Sequence, residues 1–128
     1  MKTLMSQALL MIALQLPIGG WCVSPDIDRN ELLQLIESRA DVLLLDVRTS
    51  SEFAAGNIPG SMNVPVNELG RHLQAIRERG AEQVIVYCAA GPRALSAQKL
   101  LTEAGVGNVR HLLGDMSGWR SAGMPMDP

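Results

Sequence analysis

From Asp28 onward the chain switches repeatedly between two hydrophobic rhythms. Asp28 and Glu31 have the spacing of a helix-capping pair, and Leu32, Leu33, Leu35 and Ile36 follow, so a helix is predicted there. Val42 to Leu45 is an unbroken apolar run ending at Asp46, the pattern of a strand buried on both faces. Asn57-Ile58-Pro59-Gly60 predicts a turn, and Met62 to Val64 a short strand. Val66 to Arg79 places Leu69, Leu73 and Ile76 on one helical face, with Gly80 as its stop. Val84 to Tyr87 is a second buried strand, and it delivers the chain to Cys88. A further helix is expected from about Arg93 to Ala104, with Leu95, Leu100 and Leu101 inward and Gly105 and Gly107 closing it. Val109 to Leu113 is a third strand, and Gly114 to Ala122 a loop with a short helix.

Strands and helices alternating at this spacing predict an α/β fold: a small parallel β-sheet flanked by helices on both faces. Ligands in such sheets bind beyond the carboxyl ends of the strands. Asp46 and Cys88 both fall at such ends.

The start of the chain follows another pattern. After Lys2 no charge appears until Asp26, and the most apolar stretch, Ala8 to Ile18, is interrupted by Gln15 and Pro17. A membrane span needs about 20 mostly apolar residues, so this one is short. A charged start, a short apolar run and small residues have the form of a secretory signal peptide. Residues 1–22 are therefore expected to be removed and 23–128 to form the domain. That domain is expected in the periplasm or secreted, with no stable membrane insertion; an uncleaved anchor is the alternative. Cleavage after Gly20 retains Cys22 as a thiol able to pair in an oxidising compartment, whereas cleavage after Cys22 leaves Cys88 alone.

Composition narrows the function classes. A chain of 128 residues, 47% hydrophobic and 19% charged, fits one globular domain rather than a disordered segment. The formal charge of −2 and an aromatic content of 3% supply neither a basic patch nor a stacking platform, so no nucleic-acid partner is expected. The two cysteines and two histidines have no metal-ligand spacing.

The segment Cys88-Ala89-Ala90-Gly91-Pro92-Arg93 lies between a buried strand and a helix. A helix N-terminus carries unpaired N–H groups and partial positive charge, and it holds anions. Positive charge near a thiol favours the thiolate, which is the nucleophile. Small residues at Ala89, Ala90 and Gly91 allow the backbone to curve N–H groups around the sulfur. Pro92 suits a first helical turn because it has no N–H to leave unsatisfied. Arg93 adds a fork of donors for an oxyanion. The competing reading is an inert cysteine buried at a strand end.

At this point the chain resembles the single-domain form of the rhodanese, or thiosulfate sulfurtransferase, family from about Pro25 to Pro125. Asp46-Val47-Arg48 with Glu52-Phe53 resembles its D-V-R-x-x-x-E-[FY] stretch. Gly56 to Pro65 resembles its G-H-I-P-G-A-x-N-[IV]-P signature, with Asn57 in place of His. Val86 to Ala94 resembles its active-site loop, with Ala89 and Ala90 where basic or polar residues are frequent. Leu113-Gly114, Trp119 and Gly123-Met124-Pro125 resemble its closing motif, with Asp115 in place of a second Gly. The resemblance implies that Cys88 takes a sulfane sulfur from thiosulfate or polysulfide and passes it to cyanide or a thiol. Ala89, Ala90, Gly91, Pro92 and Arg93 are then the substrate-binding loop, with Arg93 on the donor's oxyanion. No metal or organic cofactor is implied, and a protein sulfur acceptor is a further partner class. Cysteine phosphatases use a longer C-x5-R loop; here Arg93 gives C-x4-R, and Ala94 stands where the phosphatase arginine belongs. The alternative is a weakly active or non-catalytic module of the same fold, a persulfide carrier or partner-binding domain.

Other residues are expected to be structural. Asp46 and Arg48 support the site by pinning a strand end, and His72 and His111 have no motif around them. Met116, Trp119, Met124 and Met126 pack the C-terminal segment. Asp115 is expected to add negative charge near the rim of the site, and Arg71, Arg77 and Arg79 form a solvated helix face.

Overall fold

The computed structural model describes residues 24–128; the leader, its cleavage points and Cys22 lie outside the described residues. Five strands form one all-parallel sheet: β1 (Asp26–Ile27), β2 (Val42–Asp46), β3 (Met62–Asn63), β4 (Gln83–Tyr87) and β5 (Val109–Leu112). Their spatial order is β1-β5-β4-β2-β3, with Leu45 opposite Val86 on one side and Met62 on the other. The connecting helices are α1 (Arg29–Glu37), α2 (Ser50–Ala54), α3 (Leu73–Arg79), α4 (Pro92–Glu103) and α5 (Asp115–Ser121), with a 3-10 segment at Val66–Arg71.

The apolar runs at β2 and β4 form strands buried on both faces, as expected. Side chains alternate across a strand. Leu43, Leu45, Val84, Val86 and Cys88 therefore face one core, with Leu69, Ile76, Ala94, Ala97 and Leu101. Leu44, Ile85 and Tyr87 face the other, with Ile27, Leu32, Leu112, Met116 and Trp119. So α3 and α4 cover one face of the sheet, while α1 and α5 cover the opposite one. Cys88 continues the β4 alternation into the α4 side.

Several local expectations change. The helix expected over Val66–Arg79 divides into a 3-10 segment and α3, with His72 (φ −108°, ψ −1°) at the junction. Leu95, expected inward, is 53% exposed; the buried face of α4 is Ala94, Ala97 and Leu101, at i, i+3 and i+7. Small residues there let the helix lie close to the sheet. The Asp28 carboxylate caps α1 by accepting the Glu31 N–H at 2.8 Å, but the Glu31 side chain pairs with Arg110 rather than returning to the cap. Strand β1 and helix α2 were not anticipated. Thr49 and Glu52 form a reciprocal capping box that starts α2.

Candidate active site

Strand β4 ends at Tyr87 and the loop Cys88–Gly91 leads straight into α4. Gly91 has φ +125°, a region that side-chain-bearing residues rarely adopt, and this turn aims its N–H back at the cysteine. The Gly91 N–H donates to Cys88 Sγ at 3.0 Å. Pro92 occupies the first turn of α4, as the loop reading required. The sulfur is almost fully covered, with Cys88 1% exposed.

A second element clasps this loop from beneath. The Cys88 N–H donates to Asp115 Oδ1 at 3.0 Å, while the Met116 and Ser117 N–H groups donate to the carbonyls of Cys88 and Ala89 at 2.9 and 3.1 Å. Asp115 is not at the rim: it is 2% exposed, and its carboxylate also meets His111 Nε2 at 3.0 and 3.1 Å. An ionised carboxylate only accepts hydrogen bonds, so Nε2 is the donor of that pair. Asp115 holds φ +53°, a left-handed conformation that Asp tolerates better than most side chains. A Cβ at Gly91 would stand 3.4 Å from Asp115 Oδ2, so the carboxylate lies against the floor of the cysteine loop. Sequence reasoning treated His111 as structural and did not connect it to the loop. The available signal was the four-residue spacing from His111 to Asp115, across the end of β5.

Arg93 is not a free fork. Its Nη1 and Nη2 donate to the two Glu52 oxygens at 2.8 and 3.1 Å, bridging α4 to α2. Glu52 in turn is held well below the usual carboxylate range, at about 2, first by Arg93 and then by the Thr49 backbone N–H. Three N–H groups of the guanidinium stay available to a ligand, but its positive charge is compensated. The expected contact of Arg93 with a donor's oxyanion would fall to the N–H groups that Glu52 does not engage.

Asp46 and Arg48 do pin a strand end. Arg48 donates to Asp46 through Nε and Nη2, with Nη2 at 2.6 Å, and Nη2 also donates to the Gly56 carbonyl at 2.7 Å. Both residues are buried, Asp46 completely. The pair fixes the entry to the Asn57–Ser61 turn, which Tyr87 holds from below. Tyr87 Oη accepts the Ile58 N–H at 3.2 Å and donates to Ser61 at 3.1 Å, and burial pushes the phenol well above its ordinary pKa. Asn57 keeps the turn as expected, donating to the Phe53 carbonyl and accepting from Ser61. Trp119 and Met116 are buried, and Trp119 ties the C-terminal segment by donating to the Pro125 carbonyl at 2.7 Å. His72 is exposed, and Arg71 and Arg79 make exposed ion pairs.

Beside the loop lies a cavity of about 350 Å³, walled by Glu52 from α2 and Ala55 just after it, Ala89, and Met116, Ser117 and Arg120 from α5. Among the described residues no group of three or more His, Cys, Asp or Glu could hold a metal ion. Nor is any described helix long and apolar enough to cross a membrane.

Residues 28–122 match the family described as "Rhodanese-like domain". The chain belongs to the rhodanese-like family. Among its relatives, a sulfurtransferase of Allochromatium vinosum is 33% identical over 101 residues, covering 79% of this chain and 92% of the relative. The human thiosulfate:glutathione sulfurtransferase is 33% identical over 110 residues, covering 75% and 93%. The structure of a rhodanese-related protein from Thermoplasma volcanium superposes with a TM-score of 0.70 at 28% identity, covering 81% of this chain and 98% of that one. The rhodanese-like chain is thus similar over nearly their whole length to single-domain relatives, and these support sulfur transfer as the general class of activity.

Proposed function

We propose that this rhodanese-like domain moves a sulfane sulfur from thiosulfate or a polysulfide to cyanide or a thiol, through a persulfide on Cys88. The observation that carries the reading is the Gly91 N–H aimed at Cys88 Sγ from 3.0 Å, at the N-terminal end of the 12-residue helix α4. Such a donor stabilises negative charge on sulfur more than it helps a merely packed thiol.

The chemistry balances without an outside oxidant. Cys88 thiolate attacks the outer sulfur of thiosulfate, the sulfur–sulfur bond of the donor breaks, and sulfite leaves with the electron pair. The acceptor then attacks the outer sulfur of the persulfide, and Cys88 departs as thiolate; cyanide yields thiocyanate and a thiol yields its persulfide. This is two-step covalent catalysis, for which ping-pong kinetics are expected. Backbone N–H groups of the 89–93 loop hold the charge on sulfur, and the remaining Arg93 donors meet the donor's oxygens. The human relative names glutathione, a small thiol, and the same class of acceptor is proposed here. Export is proposed from the leader pattern alone; N-terminal sequencing of protein recovered from the periplasm or medium tests it, and an intact Met1 in the cytosol overturns it.

The test of the activity uses purified protein and a Cys88→Ser variant. Incubation with thiosulfate is expected to add one sulfur to the first and none to the second, by intact mass. Cyanide is then expected to release thiocyanate over repeated cycles. A sulfur gain without turnover would identify the carrier alternative, which the full burial of Cys88 and the compensated Arg93 favour. No gain from thiosulfate or polysulfide would overturn sulfur transfer at this cysteine.

A further inference from the structure

We infer that Asp115 is a positioning residue for sulfur transfer: it aims the Cys88 sulfur by holding the Cys88 N–H, and His111 acts behind it by holding the carboxylate. The inference rests on the persulfide reading above and deepens it. Asp115 is a buried titratable group, 2% exposed, that the chemistry above does not use. It opens α5, yet no side chain caps that helix. The carboxylate instead reaches out of α5, to the Cys88 N–H at 3.0 Å and to His111 Nε2 at 3.0 and 3.1 Å. Its backbone stands at φ +53°, a conformation that suits the second Gly of the family motif better than any side chain. Strain of this kind persists where surrounding contacts over-determine it, and it collects at functional sites. Here the contacts converge on Cys88.

Asp115 Oδ1 takes the N–H of Cys88, and the next residue, Met116, gives its own N–H to the Cys88 carbonyl at 2.9 Å. The residue that carries the sulfur is thereby gripped at both of its backbone polar groups by consecutive residues of α5. With the backbone held, the sulfur moves chiefly by rotation about the Cα–Cβ bond, and the Gly91 N–H at 3.0 Å selects one setting. Oδ2 lies against Gly91 as well, 3.4 Å from where a Cβ would stand, so one carboxylate braces both ends of the Cys88–Gly91 loop. His111 sits inside the sheet, opposite Val86 on one side and Asp26 on the other, and fixes the carboxylate to that framework. The step served is the attack of the Cys88 sulfur on the donor's outer sulfur, with the donor's sulfur–sulfur bond breaking and sulfite leaving with the electron pair. The carboxylate only accepts hydrogen bonds and Nε2 is spent on it, so neither residue binds a sulfur anion. Their effect falls on aim rather than on donor affinity, and an error of about 1 Å in aim costs on the order of a hundredfold in rate.

The experiment follows loading of the full chain by quenched flow and intact mass over a range of thiosulfate concentrations, at a temperature where urea titration shows each variant folded. It yields a maximal loading rate and a half-saturating concentration. Asp115→Gly, chosen over alanine because glycine accepts the backbone conformation, is expected to lower the maximal rate about tenfold or more and to leave the half-saturating concentration within about twofold. Asp115→Asn is expected to load within about threefold of the parent, because its amide oxygen accepts from Cys88 and its NH2 donates to the other tautomer of His111. His111→Gln, which keeps a donor, is expected to follow the asparagine variant. His111→Leu is expected to follow the glycine variant, and it carries the test if that variant does not fold. A folded Asp115→Gly protein that loads at the parent's maximal rate, or whose loss lies wholly in the half-saturating concentration, would overturn the positioning role while leaving persulfide transfer intact. An asparagine variant as slow as the glycine one would do the same. Failure of the unmodified protein to load from thiosulfate or polysulfide would overturn the persulfide reading itself, and the positioning role with it.

Discussion

Replacing Asp115 probes the link between the cysteine loop and the end of the sheet. In Asp115→Ala two donors lose their acceptor: the Cys88 N–H at 3.0 Å and His111 Nε2 at 3.0 Å, both in buried residues. An unsatisfied buried donor costs about 1–3 kcal/mol, so the pair together cost about 3 kcal/mol once some water has entered. Alanine also inherits the φ of +53°, which penalises an L-residue by about 1–2 kcal/mol, more than it penalises Asp. Asp115→Gly loses the same acceptor but relieves the backbone, and is expected about 1 kcal/mol above the alanine variant. Asp115→Asn keeps an acceptor oxygen and tolerates the left-handed conformation, so it stays closest to the parent. In a domain of this size 1 kcal/mol moves Tm by roughly 4–8 °C. The expected order is therefore parent, Asn, Gly, Ala, with the alanine variant roughly 15 °C or more below the parent. Urea titrations with an unchanged m-value provide the free energies. An alanine variant within about 1 kcal/mol of the parent, or one equal to the glycine variant, would refute the assigned roles of the carboxylate and of the backbone strain.

The Glu52–Arg93 bridge predicts a defined acid dependence. Glu52 sits at about 2 in the folded protein against 4.5 ordinarily, so its stabilisation is complete above about 4.5 and is lost as pH falls toward 2. The stability difference between the parent and Glu52→Gln, measured from pH 7 downward, should hold constant and then shrink through that window; a flat difference contradicts the pairing. Leu95→Gln should change stability by less than about 0.5 kcal/mol, because the side chain is 53% exposed on α4, whereas Leu101→Ala should cost about 2–5 kcal/mol. Equal costs at the two positions in thermal unfolding would restore Leu95 to the core.

The central strands and the conformation of the cysteine loop were legible in the sequence because each rests on local chemistry. Val84-Ile85-Val86-Tyr87 can only satisfy its continuous apolarity inside a covered sheet, and small residues before Pro92 leave the backbone free to curve. What stayed hidden depends on partners distant along the chain. Glu52 and Arg93 stand 41 positions apart, and no local pattern says that one will neutralise the other. Leucine drew attention on α4, yet close approach of helix to sheet selected Ala94 and Ala97 for the interface. Strand β1 has two residues and α2 five, too short for any periodicity to register; the Thr49–Glu52 spacing of a capping box was the local signal for α2 that went unread. Asp115 was noticed as an acidic departure from the family motif, but its burial depends on β5 and α5 converging beneath Cys88.

That convergence has a consequence for how the protein is made. During synthesis Cys88 emerges from the ribosome well before His111, Asp115, Met116 and Ser117, which hold its loop from below. Until those later residues arrive, the Cys88 and Ala89 carbonyls and the Cys88 N–H lack the partners that hold them in the folded domain. The return of the chain from Trp119 to Asp127, where Asn57 and Asp127 exchange backbone hydrogen bonds at 2.9 and 2.8 Å, then closes the assembly. The support beneath the loop is therefore acquired only after the loop itself has been made. A chain stalled or cut before Asp115 would carry Cys88 without the clasp that holds its loop.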